Sequence, residues 1–335
     1  MSGKKSYLVT GGTGFIGSAL VRALAQAGHR VRVLDDDSRG RAGRLEDIAE
    51  QLEFVAGDVR DPAAVLSAAR GMDGICHLAF VNGTEFFYQK PDLVLEVGVK
   101  GMINVLDALA GAKVPELLLM SSSEVYQTPQ KVPTDESAPF SIPDPLNPRY
   151  SYAGGKLISE LLAINYGRTR IERVTIVRPH NVYGPDMGFE HVIPQLALRL
   201  EGLIAERGTS AKLPFPIQGS GEETRAFVFI DDFIDGTLKV LERGEHLGIY
   251  HVGTQREEPI RRLAELVAEA AGVSIDIQPG PAAPGGTPRR CPDIGKVQRL
   301  GYEPKVSLED GLRRTVAWYL EHGRQKRQVS NQTRA

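Results

Sequence analysis

The chain has 335 residues, of which 41% are hydrophobic and 24% charged, and its formal net charge is −2. That length gives one large domain or two smaller ones an ample core, and the near-neutral balance offers no electrostatic footprint for nucleic acid, so an anionic ligand must be held by local arginines. Two cysteines, Cys76 and Cys291, make no disulfide framework and fit no metal-site spacing. A polar start and no apolar run near the ~18 residues of a membrane span lead us to expect a cytoplasmic protein with no transmembrane helix.

Residues 6–10 (Ser-Tyr-Leu-Val-Thr) read as a short buried strand ending in a glycine turn. Residues 15–27 follow with Ile16, Leu20, Leu24 and Ala27 at helical spacing, and Gly28 stops them. The alternation continues through strands at 31–34, 52–56, 74–78, 116–120 and 173–178, with helices at 62–70, 92–111 and 151–167. Strands that are continuous apolar runs, alternating with helices, predict an α/β fold with a Rossmann-type doubly wound parallel sheet. From Pro179 the texture changes: 179–225 is rich in Pro and Gly with one helix near 192–205, and 255–322 holds two helices separated by Gln278–Pro288. The expected organisation is a nucleotide-binding domain of residues 1–178 and 226–254, a smaller C-terminal substrate-binding domain of 179–225 and 255–322, and a frayed polar tail at 323–335.

Gly12-Thr-Gly14-Phe15-Ile16-Gly17 fits a dinucleotide fingerprint, and Gly11-x-x-Gly14-x-x-Gly17 fits the spacing of short-chain dehydrogenases. Such glycines permit a tight turn, let the backbone approach a pyrophosphate and allow close helix–strand packing, while the amides at the helix start stabilise phosphate charge. Asp35, at the end of the second strand, stands where a ribose diol would be bonded. Its carboxylate would repel a 2′-phosphate, which favours NAD over NADP; Arg39, Arg41 and Arg44 either keep NADP open or form a solvated face. Asp58-Val59 follows the third strand, and Asp58 either bonds the adenine edge or caps the helix that starts at Asp61-Pro62.

Tyr152 and Lys156 are spaced i,i+4 on a predicted helix, so they share a face. Lowering a phenol from a pKa of about 10 to about 7 takes roughly 4 kcal/mol of favourable charge interaction, which an ammonium and an oxidised nicotinamide ring are able to supply. The pattern is common by chance. Its place after Ser121-Ser-Ser-Glu-Val-Tyr126, at the C-terminal end of a strand, gives it meaning, because open parallel sheets bind ligands at that edge. Gly154 and Gly155 each cost about 1 kcal/mol relative to alanine inside a helix, and are read as clearance for cofactor or substrate.

Jointly, Gly11-x-x-Gly14-x-x-Gly17, Asp35, Asp58, Ser121–Tyr126, Tyr152-x-x-x-Lys156, Arg178-Pro-His-Asn-Val-Tyr-Gly-Pro185 and Thr224-Arg225-x-Phe227 resemble the extended short-chain dehydrogenase/reductase family. Within it the chain is similar to NAD-dependent sugar-nucleotide epimerases and dehydratases over about residues 5–322. The resemblance implies tightly held NAD, a nucleotide diphosphate sugar substrate, commonly a homodimer, and a first step in which Tyr152 removes the sugar 4-hydroxyl proton while C4 hydride passes to NAD. It assigns Ser122 to the reacting hydroxyl, Asn181 and Arg225 to the phosphate end, and Arg289 or Arg290 to a second diphosphate contact.

Glu124 stands where simple 4-epimerases usually carry a small or neutral residue, and where the family's 4,6-dehydratases and UDP-glucuronate decarboxylases usually carry glutamate. Once C4 is a ketone the C5 proton is acidified, and a placed carboxylate is able to take it; the alternative is that Glu124 bonds only backbone or ribose. Ser123 is not the aspartate acid of one dehydratase group. Gly98 in place of the family's asparagine, His180 in place of an aromatic, and Gln127 in place of a glycine bear on the substrate. The leading expectation is an epimerase working through a transient 4-keto intermediate. The nearest alternative is a dehydratase or decarboxylase that uses Glu124 as a base; a distant one, a non-catalytic nucleotide-sensing module, sits poorly with the retained Tyr152 and Lys156.

Overall fold

The computed structural model describes residues 3–209, 212–281 and 287–323, so nearly all of the expected tail and part of Gln278–Pro288 lie outside the described residues. Six strands, β1 (Ser6–Thr10), β2 (Arg30–Asp35), β3 (Leu52–Ala56), β4 (Gly74–His77), β5 (Glu116–Met120) and β6 (Arg173–Pro179), are joined by a seventh, Gly248–Val252. All pair in parallel, in the order Gly248–Val252, β6, β5, β4, β1, β2, β3. The apolar runs are explained by burial on both faces: Val9, Val33, Leu118 and Met120 enter one apolar cluster, while Leu8, Leu34, Leu117 and Leu119 enter another. From β1 the chain winds outward to β3 and then returns to place β4 on the other flank of β1. The crevice beyond the carboxyl ends of β1 and β4 is thus the switch point where an open sheet binds ligands.

Helix α1 (Phe15–Gln26) starts at Gly14 and ends before Gly28, whose φ of +83° suits glycine. Helix α2 (Pro62–Ala69) has Pro62 in its first turn and takes its cap from Asp61, whose carboxylate accepts the Ala63 amide at 2.9 Å. The cap role considered for Asp58 therefore belongs to Asp61. The single helix expected over 92–111 is broken: α3 (Thr84–Gln89) precedes it, α4 (Pro91–Leu95) begins at the proline, and a π-helical turn, Glu96–Lys100, separates α4 from α5 (Gly101–Ala112). Helix α6 (Tyr150–Gly167) matches its expectation within a residue.

Beyond β6, helix Val192–Arg207 leads to strand Leu213–Ile217, paired with Ile275–Pro279. Thr224–Ala226 lies between Glu257–Pro259 and Arg289–Arg290. Helix Ile230–Arg243 returns the chain to the main sheet at Gly248–Val252. Among the described residues no helix is long and apolar enough to cross a membrane.

Helix α6 is fixed to the sheet by an ion pair that is sealed from water. Arg178 Nε and Nη2 donate to the two Glu160 oxygens at 2.9 and 2.6 Å, and the side chains are 1% and 0% exposed. Ser121 donates to the same carboxylate, and Arg178 also donates to the Tyr126 hydroxyl. Removing one member of such a pair leaves a buried charge uncompensated. Arg178→Met is accordingly expected to cost about 3–5 kcal/mol in chemical unfolding, whereas the double change Arg178→Met/Glu160→Leu recovers much of that loss.

Candidate active site

A cleft of ≈450 Å³ opens along the carboxyl edge of the sheet, lined at one end by Gly11, Gly14, Phe15, Ile16, Gly17, Asp35, Asp58 and Val59, and at the other by Ser122, Glu124, Arg149, Tyr152, Lys156, Asn181 and Arg290. The glycines are required by contact. A Cβ on Gly17 would lie 2.0 Å from the Gly11 carbonyl oxygen, and Gly11, with φ +72°, would place one 2.7 Å from the Ala79 amide nitrogen. Asp35, 9% exposed, accepts the Thr13 and Asp37 amides at 2.9 and 3.0 Å. Burial raises its pKa, and those amides act against the rise. Asp58 is bound by Arg60, whose guanidinium holds its carboxyl below the usual range.

Arg44 spends its guanidinium on Asp186 Oδ2 at 3.0 Å, on the Asp186 carbonyl at 2.8 Å and on the Thr13 carbonyl at 2.9 Å; Arg41 also pairs with Asp186. Arg39 lies 3.5 Å from Glu190. These arginines tie the loop after β2 to the far wall of the cleft. The buried Asp35, the close-packed glycine turn and this commitment of the arginines fit NAD without a 2′-phosphate.

At the other end α6 carries Tyr152 and Lys156 into the cleft on one face, as their spacing requires. Tyr152 is 8% exposed, stacked on Phe87 (centroids 5.0 Å apart, 24°) and edge-on to Phe80 (5.2 Å, 82°). Burial pushes its phenol up to about 12; Ser122 works against the rise and Glu124 adds to it. Lys156, 4% exposed, donates to the Met120 carbonyl at 2.7 Å, and burial brings its ammonium down to about 7 against the pull of Glu160. The expected lowering of the phenol by the ammonium is therefore not found in the protein alone, because burial dominates at both groups.

The Ser122 hydroxyl caps a short 3₁₀ turn, Ser123–Tyr126, by accepting the Glu124 amide at 3.1 Å. Gln127 takes φ +53° where the family has glycine, and its side-chain amide donates to the Glu124 carbonyl at 2.6 Å, fixing the turn. Glu124 is thereby presented to Arg290, Nη1 to Oε1 2.5 Å. Burial pushes the Glu124 carboxyl up, but Arg290, Arg149 and Arg225 overcome this and hold it below the usual range.

Other sequence assignments are placed differently. Arg225 does not line the cleft; it donates to the Thr224 and Thr287 carbonyls at 2.7 and 2.6 Å, behind the Glu124–Arg290 pair. Asn181 lines the cleft, but its amide donates to the Ala226 carbonyl at 2.8 Å. Arg289 points to Glu257 at the surface, which leaves Arg290 as the arginine of that strand at the cleft. His180 is 1% exposed and packs against the His251 ring at 4.8 Å, outside the cleft lining. Gly155 does not clear space for cofactor or substrate: a Cβ there would meet Phe80 Cζ at 2.9 Å. At Gly154 the nearest atom, on Ile142, is an ordinary 3.9 Å away. Arg149 also lines the cleft without belonging to any of the motifs above; its signal in the sequence is its place three residues before Tyr152, at the start of α6.

This fold and cleft define a dinucleotide-dependent enzyme on an open parallel sheet. The chain belongs to the NAD dependent epimerase/dehydratase family, which it matches over residues 7–253, and it uses NAD. It is 32% identical over 92% of its length to UDP-glucuronic acid decarboxylase 1 of Arabidopsis thaliana, covering 68% of that protein. It is 29% identical to the UDP-N-acetyl-alpha-D-glucosaminuronate decarboxylase of Bacillus cytotoxicus, over 95% of this chain and 98% of that one. Among solved structures it is similar to a double mutant of the dTDP-glucose 4,6-dehydratase of Streptomyces venezuelae with NAD bound (34% identity, TM-score 0.82, 95% and 98% of the two chains). It is also similar to a UDP-glucose 4-epimerase of Thermotoga maritima (26%, TM-score 0.82, 94% and 99%).

The Lys156 environment makes stability depend on pH with a definite sign. Unfolded, lysine stays charged to about pH 10; folded, it loses its proton from about pH 7. Between those values the unfolded state binds the extra proton, so this group's contribution to stability increases as pH rises, by at most about 1.4 kcal/mol per unit. Urea unfolding of cofactor-free protein between about pH 7 and pH 9.5 should show that rise, and Lys156→Met should flatten it; parallel curves would refute the assignment.

Proposed function

We propose that this chain decarboxylates a nucleoside-diphosphate hexuronate through a transient 4-keto intermediate. The Glu124–Arg290 pair, set in the cleft beside Tyr152 and flanked by Arg149, carries the reading. In it, Gly11, Gly14, Phe15, Ile16 and Gly17 hold the pyrophosphate, and Asp35, Asp58 and Val59 the adenosine. Segments 179–225 and 255–322 form the substrate half, where Asn181 shapes the wall and Arg290 lines the cleft, with Arg225 adding positive charge nearby; Arg149, from the start of α6, adds charge for the diphosphate.

NAD held by these residues would supply a reversible acceptor for the hydride of the sugar C4. Tyr152 accepts the 4-hydroxyl proton, with Ser122 bonded to the same oxygen and Lys156 beside it. The C4 ketone is then β to the C6 carboxylate, so the C5–C6 bond breaks with its electron pair passing into the enolate, and carbon dioxide leaves without removal of the C5 proton. The enolate takes one solvent-derived proton at C5, and Tyr152 returns its proton to O4 as the hydride comes back. Arg290 orients the substrate carboxylate, and Glu124 holds Arg290.

A glutamate held ionised by three arginines is a weak acceptor for the C5 proton, which disfavours 4,6-dehydration. Plain 4-epimerisation uses the same Tyr152 step but gives Glu124 and Arg290 no chemical task. Incubation with UDP-, GDP-, dTDP- and CDP-linked sugars and uronates in deuterated water tests these outcomes. A pentose product with one deuterium at C5, loss of carbon dioxide and no net NADH release is expected. An isomer of unchanged mass without deuterium would establish epimerisation, and loss of water dehydration. Tyr152→Phe and Glu124→Gln are each expected to slow decarboxylation by on the order of 10²-fold or more.

The assembly we propose is a homodimer through α5 and α6. Ile103, Ile158 and Leu161 are 38%, 39% and 46% exposed on these helices. Light scattering should give twice the chain mass, and Leu161→Arg/Ile158→Arg should halve it; a wild-type monomer would refute this interface.

A further inference from the structure

Phe80 follows β4, and its ring fills a space that only two glycines leave open. A Cβ on Gly98 would lie 2.3 Å from its Cζ, and one on Gly155 2.9 Å from the same atom. Gly98 sits in the π-helical turn Glu96–Lys100, and Gly155 is one residue before Lys156 on α6. Two segments distant from each other in sequence are thus shaped around a single ring. One face of that ring carries the Lys156 ammonium, 4.1 Å from the centroid, and the Tyr152 ring stands T-shaped to it, 5.2 Å away. The hydrogen bond to the Met120 carbonyl is the ammonium's one such bond among the described residues. The titratable groups that face it are Tyr152 and Glu160 on its own helix and His77 at the end of β4, whose ring bonds the Thr10 hydroxyl at 2.7 Å. None of these takes the place that the ring occupies.

The family's asparagine at position 98 would not fit beside this ring, so the departure at Gly98 and the presence of Phe80 are one structural fact. We propose that Phe80 is a positioning residue for Lys156: seated in the space left by Gly98 and Gly155, its π face holds the ammonium beside Tyr152. An aromatic face is electron-rich at its centre and attracts a cation most when water is excluded, and here the ammonium is 4% exposed. The contact stabilises the protonated amine, and its loss should lower the lysine titration by about one pH unit. The inference rests on Tyr152 and Lys156 acting as the reading above has them.

The test follows the Lys156 titration directly, by carbon NMR of NAD-bound protein labelled at lysine Cε, with the signal assigned by its loss in Lys156→Arg. Phe80→Leu is expected to lower the midpoint by about one unit, and Phe80→Met, close in volume but without a π face, by a similar amount. Gly98→Ala pushes the ring aside and should move the midpoint the same way, while Gly98→Ala/Phe80→Leu moves it no further than Phe80→Leu alone. An unchanged midpoint in both Phe80 variants, or additive shifts in the double variant, would overturn the proposal. The titration needs no turnover, so its failure is distinct from failure of the decarboxylase reading, which product analysis decides. In turnover the alkaline limb of the kcat profile should move down with the NMR midpoint; a uniform loss of kcat with an unmoved limb would mark Phe80 as structural only.

Discussion

Glu160 and Arg178 meet inside the protein with both side chains almost wholly removed from water. Each charge alone would be costly there, so the pair admits one arrangement, with the guanidinium fork square on the carboxylate. That arrangement fixes how deep α6 sits against β5 and β6. One turn before Glu160 lies Lys156, and one turn before that Tyr152, so the depth of the pair sets the height of the phenol above the sheet. Through Ser121 and Tyr126 the same network holds both ends of the segment that carries Ser122 and Glu124. The geometry of the site is inherited from a contact that does not line the cleft.

The chemistry of the site is likewise governed by dehydration. A tyrosine base needs a phenol that gives up its proton readily, yet Phe80, Phe87 and the cleft wall push Tyr152 the other way. The protein alone keeps the phenol protonated and brings the amine to the edge of deprotonation near pH 7. On the function proposed above, a positive nicotinamide ring beside the phenol would supply the missing charge and let Tyr152 take the proton.

Much of this was legible in the chain. The strands were visible because burial on both faces demands uninterrupted apolar runs, and the glycine turn because Gly11 and Gly17 meet backbone at distances no side chain permits. The helix over 92–111 was misjudged because its apolar periodicity survives the π turn, while Pro91 resets its start. Gly155 was misread for a different reason: a glycine shows that something comes close, and only the fold shows that the neighbour is Phe80. Arg225 and Asn181 carry the family's motif, but their donors are taken by backbone carbonyls of the adjoining strands, a matter of tertiary register that no motif records. The engagement of Glu124 by Arg290 joins residues 166 positions apart, beyond the reach of local pattern.

The arginines after β2 have a consequence for how the protein lives with its cofactor. Arg41 and Arg44 grip Asp186 across the cleft, and Arg39 reaches toward Glu190 on the same far wall. On the proposed placement of the cofactor, a dinucleotide in the cleft would have to leave past these charged contacts. An enzyme that returns its hydride in every cycle gains from this, since it never has to trade a spent cofactor for a fresh one. Were this chain to work in that way, its rate would be indifferent to the balance of oxidised and reduced nicotinamide around it, and the dinucleotide would behave as a fitted part rather than a reagent.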